Sequence, residues 1–260
     1  FDVIAEYAKG SPNDILIRLT IANRGPVGAA IHVLPTLWFR NTWIWGRTSE
    51  GYGDKPRISR VDGQTVVAEQ ATLGRYRFWA GTGTDGSKPI FLFTDNESNR
   101  ERLWNAPNPS PFVKDAFHNF VVHDKQNAVN PNMEGTKAAA LYRLQIPAGG
   151  QVALNLRLTA EAEAPQQPFG AAFEKMFAQR IDEANKFYDD RLDPGLDDDQ
   201  RRIARQAYAG LLWTKQFYHY VVQEWLDGDP DEPPPPPQRT TGRNCDWVHL
   251  YNRDVISMPD

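Results

Sequence analysis

The sequence is nearly free of cysteine: Cys245 is the single one among 260 residues. One thiol cannot form a disulfide within the chain, and it excludes a zinc site built from several cysteine ligands. A single cysteine fits a reducing compartment, so we expect a cytoplasmic location. The chain opens on Phe1 without a methionine or a signal peptide and stops at Asp260. We therefore expect it to be truncated at both ends.

Basic tracts, long apolar runs and familiar catalytic motifs are also missing. The formal net charge is −4 with scattered acids, which argues against a nucleic-acid partner. No apolar stretch is long enough to cross a bilayer, so no membrane partner is expected. The sequence contains no HExxH, EF-hand or GxSxG motif. We therefore expect no metal and no cofactor.

The sequence does contain a series of short β-rich segments in its first 160 residues. Within 152–158, apolar and other residues alternate, which is typical of a half-buried strand. The apolar positions are Val152, Leu154, Leu156 and Leu158. Turn residues at 81–86 and 147–150 suggest hairpin loops. The other predicted strands are 15–21, 29–34, 65–68, 76–80, 89–93, 117–123 and 138–146. Such a series predicts a mainly β domain, an antiparallel β-sandwich, over residues 1–160.

Helical spacing replaces this pattern in the last hundred residues. Residues 161–197 are predicted to be a helical linker, with a polar start and a helix over 169–192. A second helix is predicted over residues 198–226 and is apolar on several sides, which requires packing partners on several sides. Its unpartnered residues favour self-association of this chain. They are Leu212, Trp213, Phe217 and Tyr220.

Five consecutive prolines, residues 233–237, lie in the segment that follows this helix. They predict an extended polyproline II conformation within a connector over residues 227–242. A stiff connector is favoured over a peptide that is exposed for recognition by another protein.

Several stretches together resemble bacterial proteins of glycoside hydrolase family 63, a family of inverting glycosidases with an (α/α)₆ barrel. The stretches are 34–43 (LPTLWFRNTW), 112–118 (FVKDAFH), 135–140 (GTKAAA), 212–220 (LWTKQFYHY), 244–247 (NCDW) and 257–260 (SMPD). The resemblance implies an N-terminal β-sandwich, a helical linker and then the barrel. Residues 198–260 would be the start of that barrel, whose remaining helices are a missing C-terminal partner of this chain.

The resemblance also implies that this chain is not itself catalytic. Inverting glycosidases use two carboxyl groups about 6.5–9.5 Å apart, one to protonate the leaving oxygen and one to activate water. In the family both lie beyond the position of Asp260, so no catalytic residue is assigned here. We expect a scaffold for an α-glucosidase-like enzyme that acts on α-linked oligosaccharides. Whether the chain counts as an enzyme depends on the whole protein.

Tryptophans provide the candidate substrate-binding residues and the alternative function. Trp38, Trp43 and Trp45 lie close together in sequence, and Asp246 and Trp247 form a second candidate near the C-terminus. Aromatic faces can stack on sugar rings, so the chain could be a carbohydrate-binding β-sandwich module. Packing within a core or between domains is the competing interpretation of these tryptophans.

Other polar groups are predicted to have structural roles. Glu97 and Glu101 lie in a polar run that predicts a solvated loop, and Asn96 begins a glycosylation sequon. His118 and His123 are five apart on a predicted strand, which places them on opposite faces and argues against a shared metal.

Overall fold

The computed structural model describes residues 1–48, 52–213 and 216–257 and is mainly β, with antiparallel pairing in its sheets. The strands are β1 (Asp2–Ser11), β2 (Asp14–Ala22), β3 (Ala29–Val33), β4 (Thr36–Trp38), β5 (Arg57–Arg60), β6 (Thr65–Gln70), β7 (Gly74–Ala80), β8 (Ile90–Thr94), β9 (Glu134–Gly135), β10 (Lys137–Ile146), β11 (Gln151–Ala160), β12 (Gln216–Val221) and β13 (Tyr251–Ser257). The α-helices are α1 (Arg100–Trp104), α2 (Ala116–Val122), α3 (Ala171–Asp189), α4 (Asp198–Trp213) and α5 (Val222–Asp227). Short 3₁₀ helices cover Gln126–Ala128, Glu161–Glu163 and Pro237–Thr241.

The chain divides into two compact units. The first contains residues 1–43 and 48–180, and the second contains residues 44–47 and 181–260. The division falls inside α3. The domain boundaries expected from the sequence, 1–160, 161–197 and 198–260, stay a prediction.

The first unit contains two antiparallel sheets that contribute to one hydrophobic core. Seven strands form one sheet in the order β1-β2-β11-β7-β6-β5-β9, and β3, β4, β8 and β10 form the other. Leu154 and Phe78 from the first sheet and Phe93 and Tyr142 from the second belong to the same buried cluster. The alternation predicted for residues 152–158 is confirmed at Val152, Leu154 and Leu156, which are buried, whereas Leu158 is only partly buried.

Two loops that the sequence suggested as hairpins instead connect the two sheets. Residues 147–150 join β10 of one sheet to β11 of the other, and residues 81–86 lie in the segment that joins β7 to β8 in the same way. The hairpin predictions were wrong because turn residues fix a local reversal of the chain, whereas strand partners are chosen by distant side chains.

The strand predicted over residues 117–123 is the helix α2. Phe117 and Phe120 are spaced as on one helix face, and they pack on Leu92, Ala139 and Leu141 of the smaller sheet. In a window this short, an apolar run fits a strand and a helix equally well, so its packing on the sheet decides.

The single helix predicted over residues 198–226 was also wrong. The helix α4 ends at Trp213, β12 pairs with β13, and α5 follows directly. Residues 216–221 are rich in aromatic and β-branched side chains, which favour a strand when a partner strand is present. The side chains of Trp213 and Phe217 lie outside the described part of the structure.

The proline run does not extend away from the second unit. Pro236 has extended dihedrals and Pro237 begins a 3₁₀ helix. Pro235 packs so closely on Gly228 that a Cβ at position 228 would lie 2.7 Å from its Cδ. Arg239 then donates to the Trp225 carbonyl oxygen at 2.7 Å. These contacts favour the connector interpretation over a peptide that is free for recognition.

Candidate functional site

A cavity of about 500 Å³ in the first unit is the candidate binding site. Its volume lies in the range of about 300–1,000 Å³ that is common for small-molecule sites. Aromatic rings and polar side chains share its wall, which suits a ligand with apolar faces and hydroxyl edges. The lining residues include Phe39, Arg40, Trp43, Tyr52, Asp54, Gln70 and Thr72.

A charged group holds the indole of Trp43 in place. The Nε1–H of Trp43 donates to Oε1 of Glu97 at 2.9 Å. The ammonium of Lys55 donates to the same oxygen at 2.9 Å and to Oδ2 of Asp95 at 2.8 Å. Burial lowers the pKa of Lys55, but the hydrogen bonds and negative charges of Asp95 and Glu97 outweigh it, so the pKa lies above 10.5.

Glu97 was expected in a solvated loop, but the structure buries it. Only 1% of the residue is exposed, and its Oε2 has no hydrogen-bond partner among the described residues. Its position three residues beyond the buried end of β8, Thr94, explains the burial. The polar residues around Glu97 predicted exposure. The one sequence signal for its burial was its closeness to the end of the predicted strand 89–93.

The predicted sugar-binding tryptophans do not form one site. Trp43 lines the cavity, whereas Trp38 on β4 is 55% exposed and does not line it. Trp45 belongs to the second unit, where its carbonyl oxygen accepts from the backbone N–H of Asp231 at 3.3 Å. Their role in substrate binding stays a prediction.

The second predicted pair lies near the end of the second unit. Asp246 is exposed. Trp247 is 55% exposed and stacks on His249, with ring centroids 5.9 Å apart. A role in substrate binding stays a prediction for both.

Among the described residues, no group of three or more histidines, cysteines or carboxylates could hold a metal ion. His118 and His123 were expected on opposite faces of a strand, but α2 and its C-terminal cap bring their ring centroids to 5.0 Å. Asn96 of the sequon is buried and donates to the Phe39 carbonyl oxygen at 2.8 Å. Its amide is therefore engaged inside the fold.

Comparison with known proteins gives one relative and no function. No family model matches the sequence. The chain is 37% identical over 296 aligned positions to the uncharacterized protein YMR196W of Saccharomyces cerevisiae. The alignment covers 100% of this chain and 27% of the yeast protein, so the chain spans about a quarter of that relative. No helix of the described residues has the length and apolar character needed to cross a membrane.

Proposed function

We propose that this chain is the non-catalytic N-terminal region of an inverting glycoside hydrolase of family 63 type, acting on α-linked oligosaccharides. In this proposal the two sheets of the first unit form the β-sandwich of such an enzyme. The second unit, with α4, begins the helical barrel, and the chain serves as a scaffold for it. The shared core of the two sheets supports the sandwich, and the six sequence stretches support the family.

The exposed apolar side of α4 is the observation that carries this proposal. Ile203 and Leu211, which lie on neighbouring parts of one side, are 61% and 62% exposed, and Leu212, on the side opposite Ile203, is 56% exposed. An amphipathic helix normally buries its apolar stripe, so residues of this kind indicate that another layer of structure belongs against it. A ring of paired helices provides such a layer.

Two assays with the same substrates test the proposal. Purified full-length yeast relative should release glucose from α-linked gluco-oligosaccharides, and NMR should detect the β-anomer first because the reaction inverts. The isolated 260-residue chain should release none. If the α-anomer of glucose is detected first, or if the full-length protein does not hydrolyse these substrates, the family assignment is contradicted. Turnover by the isolated chain would contradict its non-catalytic role.

The cavity beside Trp43 favours a second function, a carbohydrate-binding module. A tryptophan next to polar side chains suits a sugar ring, which presents C–H groups on its face and hydroxyls at its edge. Calorimetric titration of the chain with maltotriose and with mannotriose tests this function. Binding that is lost in Trp43→Ala supports it, and the absence of heat with either sugar argues against it.

A further inference from the structure

The position of Glu97 behind Trp43 needs a physical explanation. A buried carboxylate is costly unless it is paired and hydrogen-bonded, and here one of its two oxygens has no partner among the described residues. The other oxygen accepts from Trp43 and from Lys55. The buried carboxylate therefore bonds both a side chain that lines the cavity and a cation beside it.

The backbone around Trp43 does not by itself fix the indole. Residues 39–43 follow β4 without regular secondary structure. The chain is held at Phe39, whose N–H donates to the Thr136 carbonyl oxygen at 3.2 Å and whose carbonyl oxygen accepts from Asn96 at 2.8 Å. Three residues lie between Phe39 and Trp43. The bond from the indole N–H to Glu97 anchors one edge of the ring and so limits its orientation.

We infer that Glu97 is a positioning residue that orients Trp43 as the stacking wall of a subsite for a neutral pyranose unit. Lys55 supports it by balancing its charge while also bonding Asp95. The inference rests on the carbohydrate-binding function proposed above and adds the residue that sets the geometry of the site. A wall fixed before the ligand arrives loses less conformational freedom on binding.

The ligand class follows from the chemistry of the lining. Trp43, Phe39 and Tyr52 offer aromatic surface, while Gln70 and Thr72 offer donors and acceptors. One cationic and one anionic side chain, Arg40 and Asp54, also line the cavity. This balance does not select a charged ligand. It suits an uncharged polyhydroxylated ring, for which maltotriose is a practical probe.

The experiment follows the indole N–H signals of the ¹⁵N-labelled chain by NMR while maltotriose is added. The signal that disappears in Trp43→Phe identifies Trp43. Glu97→Ala removes the acceptor, so we expect the Trp43 signal to move and the affinity for maltotriose to fall about tenfold, the effect of one hydrogen bond to a charged group. Glu97→Gln keeps an acceptor oxygen and should restore most of both properties.

Matched controls separate positioning from a general loss of charge or of tryptophan. Glu101→Ala removes an exposed carboxylate four residues away, and Trp104→Phe changes a 49% exposed indole on α1 that does not line the cavity. Both should keep the wild-type affinity. The remaining indole signals report whether each variant is folded, and if Glu97→Ala does not fold, Glu97→Gln and Lys55→Met provide the comparison.

The outcomes test separately whether Glu97 positions Trp43 and whether the chain binds carbohydrate. If the wild type binds maltotriose and the Glu97 variants leave the Trp43 signal and the affinity unchanged, the inference is overturned and carbohydrate binding stands. If the wild type binds neither maltotriose nor mannotriose, the binding function and the inference both fail. A shifted Trp43 signal together with weakened binding, rescued by glutamine, supports both.

Discussion

The hydroxyl of Tyr142 donates a 2.6 Å hydrogen bond to the carbonyl oxygen of Gly81. Tyr142 lies on β10 of the smaller sheet, and Gly81 directly follows β7 of the seven-stranded sheet. The bond therefore joins the two sheets inside the shared core. Burial raises the pKa of the Tyr142 phenol well above 10.0, which keeps the donor protonated.

Tyr142→Phe should lower the free energy of unfolding by about 1–3 kcal/mol, because it leaves the buried Gly81 carbonyl oxygen without its donor. Urea denaturation at pH 7 measures the change. Tyr7→Phe is the matched control, since Tyr7 is 61% exposed on β1 and should change stability little. Equal effects of the two substitutions would show that the bond between the sheets contributes nothing.

Tyr142 also predicts how the free energy of unfolding changes at alkaline pH. The pKa of Tyr142 is raised in the folded state, so its contribution to stability is fully present below the unfolded value of 10.0 and is lost as pH rises above it. The difference in unfolding free energy between wild type and Tyr142→Phe should therefore shrink above pH 10.0. Denaturation curves from pH 8 to 11 check this, and a constant difference would contradict it.

Gly135 begins the GTKAAA stretch, and the structure explains why a glycine is needed there. A Cβ at this position would lie 2.3 Å from the carbonyl oxygen of Thr94 at the end of β8. Gly135→Ala should therefore destabilise the fold by about 1–3 kcal/mol through overpacking against backbone. Gly63→Ala is the control, because nothing lies within 4 Å of a Cβ built there. Thermal unfolding compares the two, and equal melting temperatures would refute the steric argument.

Strand β11 was predictable from sequence because one of its faces is buried. The alternation of Val152, Leu154 and Leu156 reflects the two-residue period of a strand, which any sheet partner preserves. Pairing between distant strands was not predictable, since turn residues at 147–150 specify a reversal of the chain but not its neighbours. The aromatic run at residues 216–221 fits the repeat of a helix as well as the repeat of a strand. Only its pairing with β13 identifies it as a strand.

The candidate site was predictable only in part. Trp43 was singled out because tryptophan can stack on a sugar, and the structure places it at a cavity. Glu97 was missed because its neighbours Asn96 and Ser98 are polar and predict exposure. Its burial depends on residues 54 and 42 positions away, Trp43 and Lys55, which no local pattern connects to it.

The exposed side of α4 predicts association between copies of this chain. Ile203→Lys combined with Leu211→Lys places two charges among apolar residues that are 61% and 62% exposed. The double variant should sediment as a monomer at concentrations at which the wild type self-associates, because hydrophobic contact is removed without disturbing a core. Leu103→Lys, at an equally exposed position on α1, should still associate. A monomeric wild type would contradict the prediction.

Lys55 and Glu97 should be energetically coupled. Lys55→Met keeps most of the stem but leaves the buried carboxylate of Glu97 with one hydrogen bond among the described residues. That bond is donated by the Trp43 indole to Oε1 at 2.9 Å. Because 46% of the Lys55 side chain is exposed, solvent screens the pair, and we expect a loss of about 1–2 kcal/mol rather than the larger loss of a fully buried pair. Lys88→Met, at an exposed position, should change stability little.

The double variant Lys55→Met with Glu97→Gln decides whether charge balance is the cause. A neutral amide no longer needs the ammonium, so the double variant should lose less stability than the sum of the two single variants. Urea denaturation of the four proteins closes the cycle at pH 7. Strict additivity would mean that Lys55 acts on Asp95 alone, and the positioning of Trp43 would then depend on Glu97 without help from its partner cation.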